Sequence, residues 1–199
     1  MAAAPDPDAE LMLRVQRGDD EAFATLVERY QQPVMNLLYR SLPDATEAED
    51  LAQTVFVQVY KSAPRYRPTA RFSTWLFTIA RNLCLNELRR RSRHPAEPLE
   101  PADSATDQAP RQYPDRRTDG PVESLLQGEL ERKIEEAIRD LPENQRTALL
   151  LCQQDELSYE DIAKVLGCSL SATKSLIHRA RETLKARLKP YLRTGAWEI

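Results

Sequence analysis

Leu157-Ser158-Tyr159-Glu160-Asp161-Ile162-Ala163-Lys164-Val165-Leu166-Gly167-Cys168-Ser169-Leu170-Ser171-Ala172-Thr173-Lys174-Ser175-Leu176-Ile177-His178-Arg179-Ala180-Arg181 is the stretch on which the reading of this chain turns. Ser158-Tyr159-Glu160-Asp161 opens a short helix whose Ile162, Ala163, Val165 and Leu166 can face a core. Gly167-Cys168-Ser169 then makes a tight turn, with glycine at the strained position, and a long helix begins at Leu170. Small Ala163 lets the second helix approach the first. That spacing is the spacing of a helix-turn-helix. On the second helix Leu170, Thr173, Ile177, Ala180, Leu184 and Leu188 recur at helical steps and form a buried stripe. Ser171, Lys174, Ser175 and His178 then point outwards. Their hydroxyl, ammonium and imidazole groups suit base edges in a major groove, with Arg179, Arg181 and Lys185 nearer phosphates. The plainer account is a solvated face on an ordinary amphipathic helix. Turn, stripe and basic bias together favour DNA.

Working outward, helical patterns surround this motif. Leu126, Leu130, Ile134 and Ile138 share a stripe on a helix over 122–139, and Pro142 opens another that runs through Leu149-Leu150-Leu151. Upstream, Arg93–Pro121 carries Pro95, Pro98, Pro101, Pro110, Pro114 and Pro121 with one aromatic, Tyr113, and no period survives there. It reads as an extended linker whose ends would lie on the order of 30 Å apart. Before it, four helices are expected. The first covers 9–17 and stops at Gly18; the second follows Asp19-Asp20 and contains Pro33, which predicts a kink. Thr46-Glu47-Ala48-Glu49 reads as a capping box for the third, and Ser73 as the cap of a fourth over 74–91. Nothing alternates as a strand. The fold class is all-α: a small helical unit at 1–92, a linker at 93–121, a helix-turn-helix unit at 122–192 and a tail at 193–199, with Trp197 in the tail.

The chain has 199 residues, 41% hydrophobic and 30% charged, which suits small helical domains. No run of about 18 apolar residues occurs, so no membrane insertion is expected, and the N-terminus lacks a signal-peptide pattern. A cytoplasmic protein is expected. Cys84, Cys152 and Cys168 form no CxxC pair and read as small hydrophobes; with only His94 and His178 there is no metal site. The net charge of −3 counts against DNA binding until its distribution is read. Between Lys174 and Arg193 the many basic residues meet one acid, Glu182; between Arg71 and Arg93 they again meet one, Glu87. Two basic patches on an acidic body imply local phosphate contacts and weak affinity for DNA without help.

The N-terminal half narrows the choice. On the helix Asp50-Leu51-Ala52-Gln53-Thr54-Val55-Phe56-Val57-Gln58-Val59-Tyr60, Leu51, Val55 and Val59 form one face, while Asp50, Gln53, Thr54 and Gln58 line another. So uncharged a polar stripe suits a protein interface. In Arg71-Phe72-Ser73-Thr74-Trp75-Leu76-Phe77-Thr78-Ile79-Ala80-Arg81-Asn82 and its continuation from Asn86, residues Asn82, Asn86, Arg89 and Arg93 recur on one polar face. Amides can read unpaired base edges and arginines can hold a single strand's backbone. Surface polarity on the last helix of a bundle is the neutral alternative. Trp75, Leu76, Ile79 and Leu83 read as core rather than as a base-stacking platform.

These two segments resemble the polymerase-docking helix and the promoter-melting segment of the extracytoplasmic-function sigma factors. Leu141-Pro142-Glu143-Asn144-Gln145-Arg146, Leu157 to Ala163 and Lys174 to Arg181 look like the family's C-terminal stretches. The resemblance spans nearly the whole chain apart from the tails and most of the linker. It departs at Thr54, where the family often has an acid, and at Leu176, where a basic residue is common. Leu176 lies off the buried stripe, where it could touch a thymine methyl or a partner. The resemblance implies that Asp50, Gln53, Thr54, Phe56, Val57, Gln58 and Tyr60 meet core RNA polymerase, on the clamp of its β′ subunit. It puts Arg71, Asn82, Asn86, Arg89, Arg90 and Arg93 on the start-proximal (-10) element, where a flipped base is captured. Ser171, Lys174, Ser175, His178, Arg179 and Arg181 fall on the distal (-35) element, beside the β flap. Base capture costs a few kcal/mol of unstacking, offset by a pocket for the base. The resemblance further implies an anti-sigma factor covering both domains, and no cofactor or catalytic residue. A stand-alone regulator would explain the helix-turn-helix but not the Asn82/Asn86 face or the linker. An enzyme would need a convergent set of acid, base or metal-binding groups, which the sequence does not offer.

Overall fold

A computed structural model describes residues 6–93, 121–154 and 156–193, the side chains of 121–127, 192 and 193 excepted. Most of the expected linker, with Tyr113, and most of the expected tail, with Trp197, lie outside these residues. The described chain is helical, without a strand. Its elements are α1 (Pro7–Gln16), α2 (Asp20–Ser41), α3 (Ala45–Ser62), a 3-10 turn (Ala63–Arg65), α4 (Phe72–Arg93), α5 (Pro121–Arg139), α6 (Glu143–Leu151), α7 (Tyr159–Leu166) and α8 (Leu170–Arg193).

Aspartates start the first three helices by accepting hydrogen bonds from N–H groups that have no partner inside the helix. Asp6 accepts from Asp8 N–H, Asp19 from Ala22 N–H, and Asp44 from those of Thr46 and Glu47. The capping box expected at Thr46 is therefore displaced: Asp44 reaches both donors first, and Glu49 accepts from the Tyr39 hydroxyl at 2.5 Å instead. Ser73 is likewise no cap. It is buried inside α4, which starts at Phe72, and the Phe72 N–H donates to Asp6 Oδ2 at 2.7 Å. Gly18 closes α1 at φ 91°, as read from the sequence. Pro33 lies within α2, which continues through it.

In the first half Met12, Leu26, Val34, Leu38, Val55, Leu76 and Phe77 are almost wholly buried. Tyr66 and Trp75 meet edge to face at 4.9 Å, beside Phe72 and Tyr30, so Trp75 takes part in the core as expected. In the second half Leu141, Ala148, Leu151, Ile162, Ile177 and Ala180 fill the centre. The two halves are not apart: α7 packs on α4, and α5 and α6 pack on α2, so one continuous apolar cluster includes residues of both. Hydrophobic periodicity alone does not announce this contact.

Candidate functional site

The helix-turn-helix is built as the sequence dictates. The Ser158 hydroxyl accepts from Asp161 N–H at 3.2 Å, and the Asp161 carboxylate accepts from Ser158 N–H at 3.3 Å, a reciprocal cap. Burial pushes the Asp161 carboxyl up, but the hydroxyls of Ser158 and Thr74 beside it, with Lys164, outweigh that and hold it below its ordinary value. Gly167 ends α7 at φ 65°, a left-handed conformation. Ser169 Oγ then accepts from Ala172 N–H at 3.1 Å and starts α8. Thr173, Ile177 and Ala180 are buried beneath α8, while Leu184 and Leu188 are half-buried.

This leaves Ser171, Lys174, His178, Arg179 and Arg181 exposed and Ser175 half-buried; Ser171, Lys174, Ser175 and His178 border one open depression with Leu170. Arg181 reaches back to the Cys152 sulfur at 3.5 Å, which steadies it at the edge of that face. Leu176 does not belong with them. It is half-buried and packs against the core, because a helix lying on α5, α6 and α7 needs a wider apolar stripe than a helix with one neighbour.

On α4 the buried side is Phe72, Leu76, Phe77, Ala80 and Cys84, so Asn82, Asn86, Arg89 and Arg93 fall together on solvent. Arg90 is also exposed but is held by Glu87 at 2.6 Å. Arg71, expected among the nucleic-acid residues, donates to the Glu156 carbonyl at 2.9 Å and so touches the other half.

On α3 burial of Ala48, Ala52, Val55 and Val59 turns Asp50, Gln53, Thr54, Val57, Gln58 and Tyr60 outwards, with Phe56 half-buried. Val57 and Tyr60 are 50% and 47% exposed, the most open large apolar side chains among the described residues. The Tyr60 ring is held edge-on against Phe23 at 5.0 Å. The Thr54 hydroxyl donates to the Asp50 carbonyl at 2.9 Å, so its one donor is used within its own helix.

The seam between the halves carries residues that sequence reasoning did not single out. The guanidinium of Arg146, on α6, donates to the Arg40 and Ser41 carbonyls at the end of α2, to the Arg139 carbonyl at the end of α5 and to the Leu141 carbonyl just after it. Helix C-termini expose unpaired carbonyls and partial negative charge, so one cation staples two of them. Burial pulls this guanidinium below its ordinary value, yet an arginine remains charged in proteins. Arg81 donates to Val165 O and Asn144 Oδ1 and lies 3.7 Å from Glu143. Charge-assisted bonds of this kind contribute about 1.5–3 kcal/mol each, against about 0–1 kcal/mol for an exposed pair such as Arg40–Glu135. These half-buried arginines hold the seam. The prior signals for Arg146 were its place in a polar run after Pro142 and in a stretch resembling the family, and neither pointed to the other half.

An exposed helix-turn-helix and a second helix with amides and arginines together on solvent define a class: a helical DNA-binding protein in two parts. Comparison with known proteins agrees. Residues 26–94 match the family model Sigma-70 region 2, and residues 131–184 match Sigma-70, region 4. The RNA polymerase sigma-H factor of Pseudomonas aeruginosa is 38% identical over 192 residues, covering 94% of this chain and 97% of that protein. The ECF RNA polymerase sigma-E factor of Haemophilus influenzae is 37% identical, covering 93% and 97%. The sigma factor RpoE of Bartonella quintana, solved in complex with the anti-sigma factor NepR, shares the fold, with a TM-score of 0.64 and 23% identity over 84% of this chain and 96% of that one. This chain belongs to the extracytoplasmic-function sigma factors. It binds core RNA polymerase and directs promoter recognition and transcription initiation.

Proposed function

We propose that the sigma activity is divided among three surfaces. Asp50, Gln53, Thr54, Phe56, Val57, Gln58 and Tyr60 on α3 meet the clamp of the β′ subunit. Asn82 and Asn86 read an unpaired base of the -10 element, with Arg71, Arg89, Arg90 and Arg93 along the strand backbone. Ser171, Lys174, Ser175 and His178 read the -35 duplex, with Arg179 and Arg181 on its phosphates. In this reading 1–92 and 122–192 act as separate units beside the clamp and the β flap, joined by 93–121, and the protein works in the cytoplasm without bond chemistry of its own. Among the described residues no helix is long and apolar enough to cross a membrane.

The observation that carries this reading is the exposure of Asn82, Asn86, Arg89 and Arg93 together on one side of α4, on the same chain as an open recognition helix. The segregated charge supports it, since two basic faces on a body of net charge −3 give local but weak phosphate binding. The anti-sigma complex of the Bartonella quintana protein, which has the same fold, supports control by an anti-sigma factor that covers both halves. Run-off transcription from a randomised promoter library tests the reading, with core polymerase and purified protein. Selection of one sequence at each of two spaced elements is expected; start-site choice indifferent to both would overturn it.

A further inference from the structure

We infer that the start of α2 holds Tyr60 in the orientation in which it docks on core polymerase, with Phe23 and Asp20 as positioning residues. The inference rests on the α3 docking surface just proposed and adds to it two residues from a neighbouring helix. Gln53, Val57 and Tyr60 recur at steps of four and three and form one row on the open side of α3. Two other members of that surface bond within α3: Thr54 donates to the Asp50 carbonyl, and Gln58 to the Ser62 hydroxyl at 3.2 Å. Tyr60 is gripped from outside its helix. Phe23 meets the body of its ring edge to face, and the Tyr60 hydroxyl donates to Asp20 Oδ1 at 3.3 Å.

The packing of α2 on α3 puts these residues in place. Ala22 and Leu26 are buried on one helix, Val55 and Val59 on the other. Phe23 follows Ala22 and is half-buried, so its ring stands as an apolar wall beside the open side of α3. Asp20 is fixed by its own helix, because a carboxylate in the first turn meets the positive end of the helix dipole. The Tyr60 ring is thus pinned at its body and at its tip while remaining 47% exposed. A tyrosine free to turn on a helix surface loses conformational entropy when a partner immobilises it. A ring already held loses less. Phe23 and Asp20 therefore strengthen docking through Tyr60, without contacts of their own to polymerase.

A double-mutant cycle against Tyr60 tests this, read by equilibrium titration of the full chain, labelled at its C-terminus, with core polymerase. Tyr60→Ala alone is expected to weaken binding about tenfold, which leaves room to measure further loss. Phe23→Leu keeps an apolar side chain and removes the ring; a loss of about threefold or more is expected. Asp20→Ala removes the acceptor, and about twofold is expected. Phe23→Leu should cost nothing further in the Tyr60→Ala background, nor Asp20→Ala in the Tyr60→Phe background. A merely structural role would give the same fold loss in either background, since binding would then follow the folded fraction. Equal losses with and without the Tyr60 group, or no loss from either substitution, would overturn the positioning role. Should Phe23→Leu lower the melting temperature enough to unfold the chain, the cycle of exposed Asp20 with Tyr60→Phe decides alone. Tyr60→Ala that binds as well as the parent would instead remove Tyr60 from the docking surface, and the inference with it. Weak binding by Tyr60→Ala without coupling leaves that surface standing and sinks only the inference.

Discussion

Lys174 and Asn86 are both exposed polar groups on long helices, yet their loss is expected to be felt at different steps. Lys174→Ala removes an exposed donor from α8 and should weaken binding of the holoenzyme to the distal element by about 1 kcal/mol or more if it reads a base edge. Competition between cognate and altered -35 sequences checks this; an unchanged preference would place Lys174 on a merely solvated face. Asn82→Ala with Asn86→Ala should leave core binding intact and slow promoter opening, read by permanganate reactivity of unpaired thymines. Equal loss of core binding would count against base capture. Both faces were legible beforehand because a helical period fixes what lies opposite a buried stripe. Leu176 was misread for the same reason: one stripe was drawn for α8, whereas three neighbours widened it. The partner of Arg71 was not legible, since a carbonyl acceptor 85 residues away leaves no trace in local spacing.

Helix ends show how far local chemistry carries. Tyr159–Leu166 was read with its boundaries because a serine–aspartate box and a glycine bracket it. The starts of α3 and α4 were read late because a competing aspartate, one of them distant in sequence, reached the free N–H groups first. Gly167→Ala should destabilise the second half by about 1 kcal/mol, from left-handed backbone alone, since an added Cβ would meet nothing within 4 Å. A fall in Tm of about 2–4 °C is expected. For Asp161 the folded carboxyl sits below its ordinary value despite burial. Its contribution is therefore complete above the unfolded pKa of about 3.9 and vanishes as pH falls through the lower folded value. Thermal melts of Asp161→Asn and the parent should differ near neutrality and converge in strong acid; a gap that persists at the lowest pH would assign the effect to packing.

Over the whole molecule the governing quantity is where charge lies rather than its sum. Arg179→Ala and Arg181→Ala should each flatten the salt dependence of holoenzyme binding by about one counterion, with little change in sequence preference, if both contact phosphates. A slope insensitive to both changes would remove them from the DNA contact. The all-α class and the two basic clusters followed from composition and period. The mating of the halves did not, because an apolar stripe declares that it is buried without declaring by what. Arg146 makes the point: nothing in Leu141 to Arg146 distinguishes a solvated cation from one that closes the end of a helix in the other half.

Asp6 has a role larger than its position suggests. Its carboxylate caps α1 and also receives the first N–H of α4, 66 residues further on. Trimming the chain past this residue, or fusing a bulky tag against it, would therefore fray α4 from its front end. Under the proposed division of surfaces, such a preparation would be helical and competent to dock, and still defective in strand separation for a reason that has nothing to do with DNA contacts.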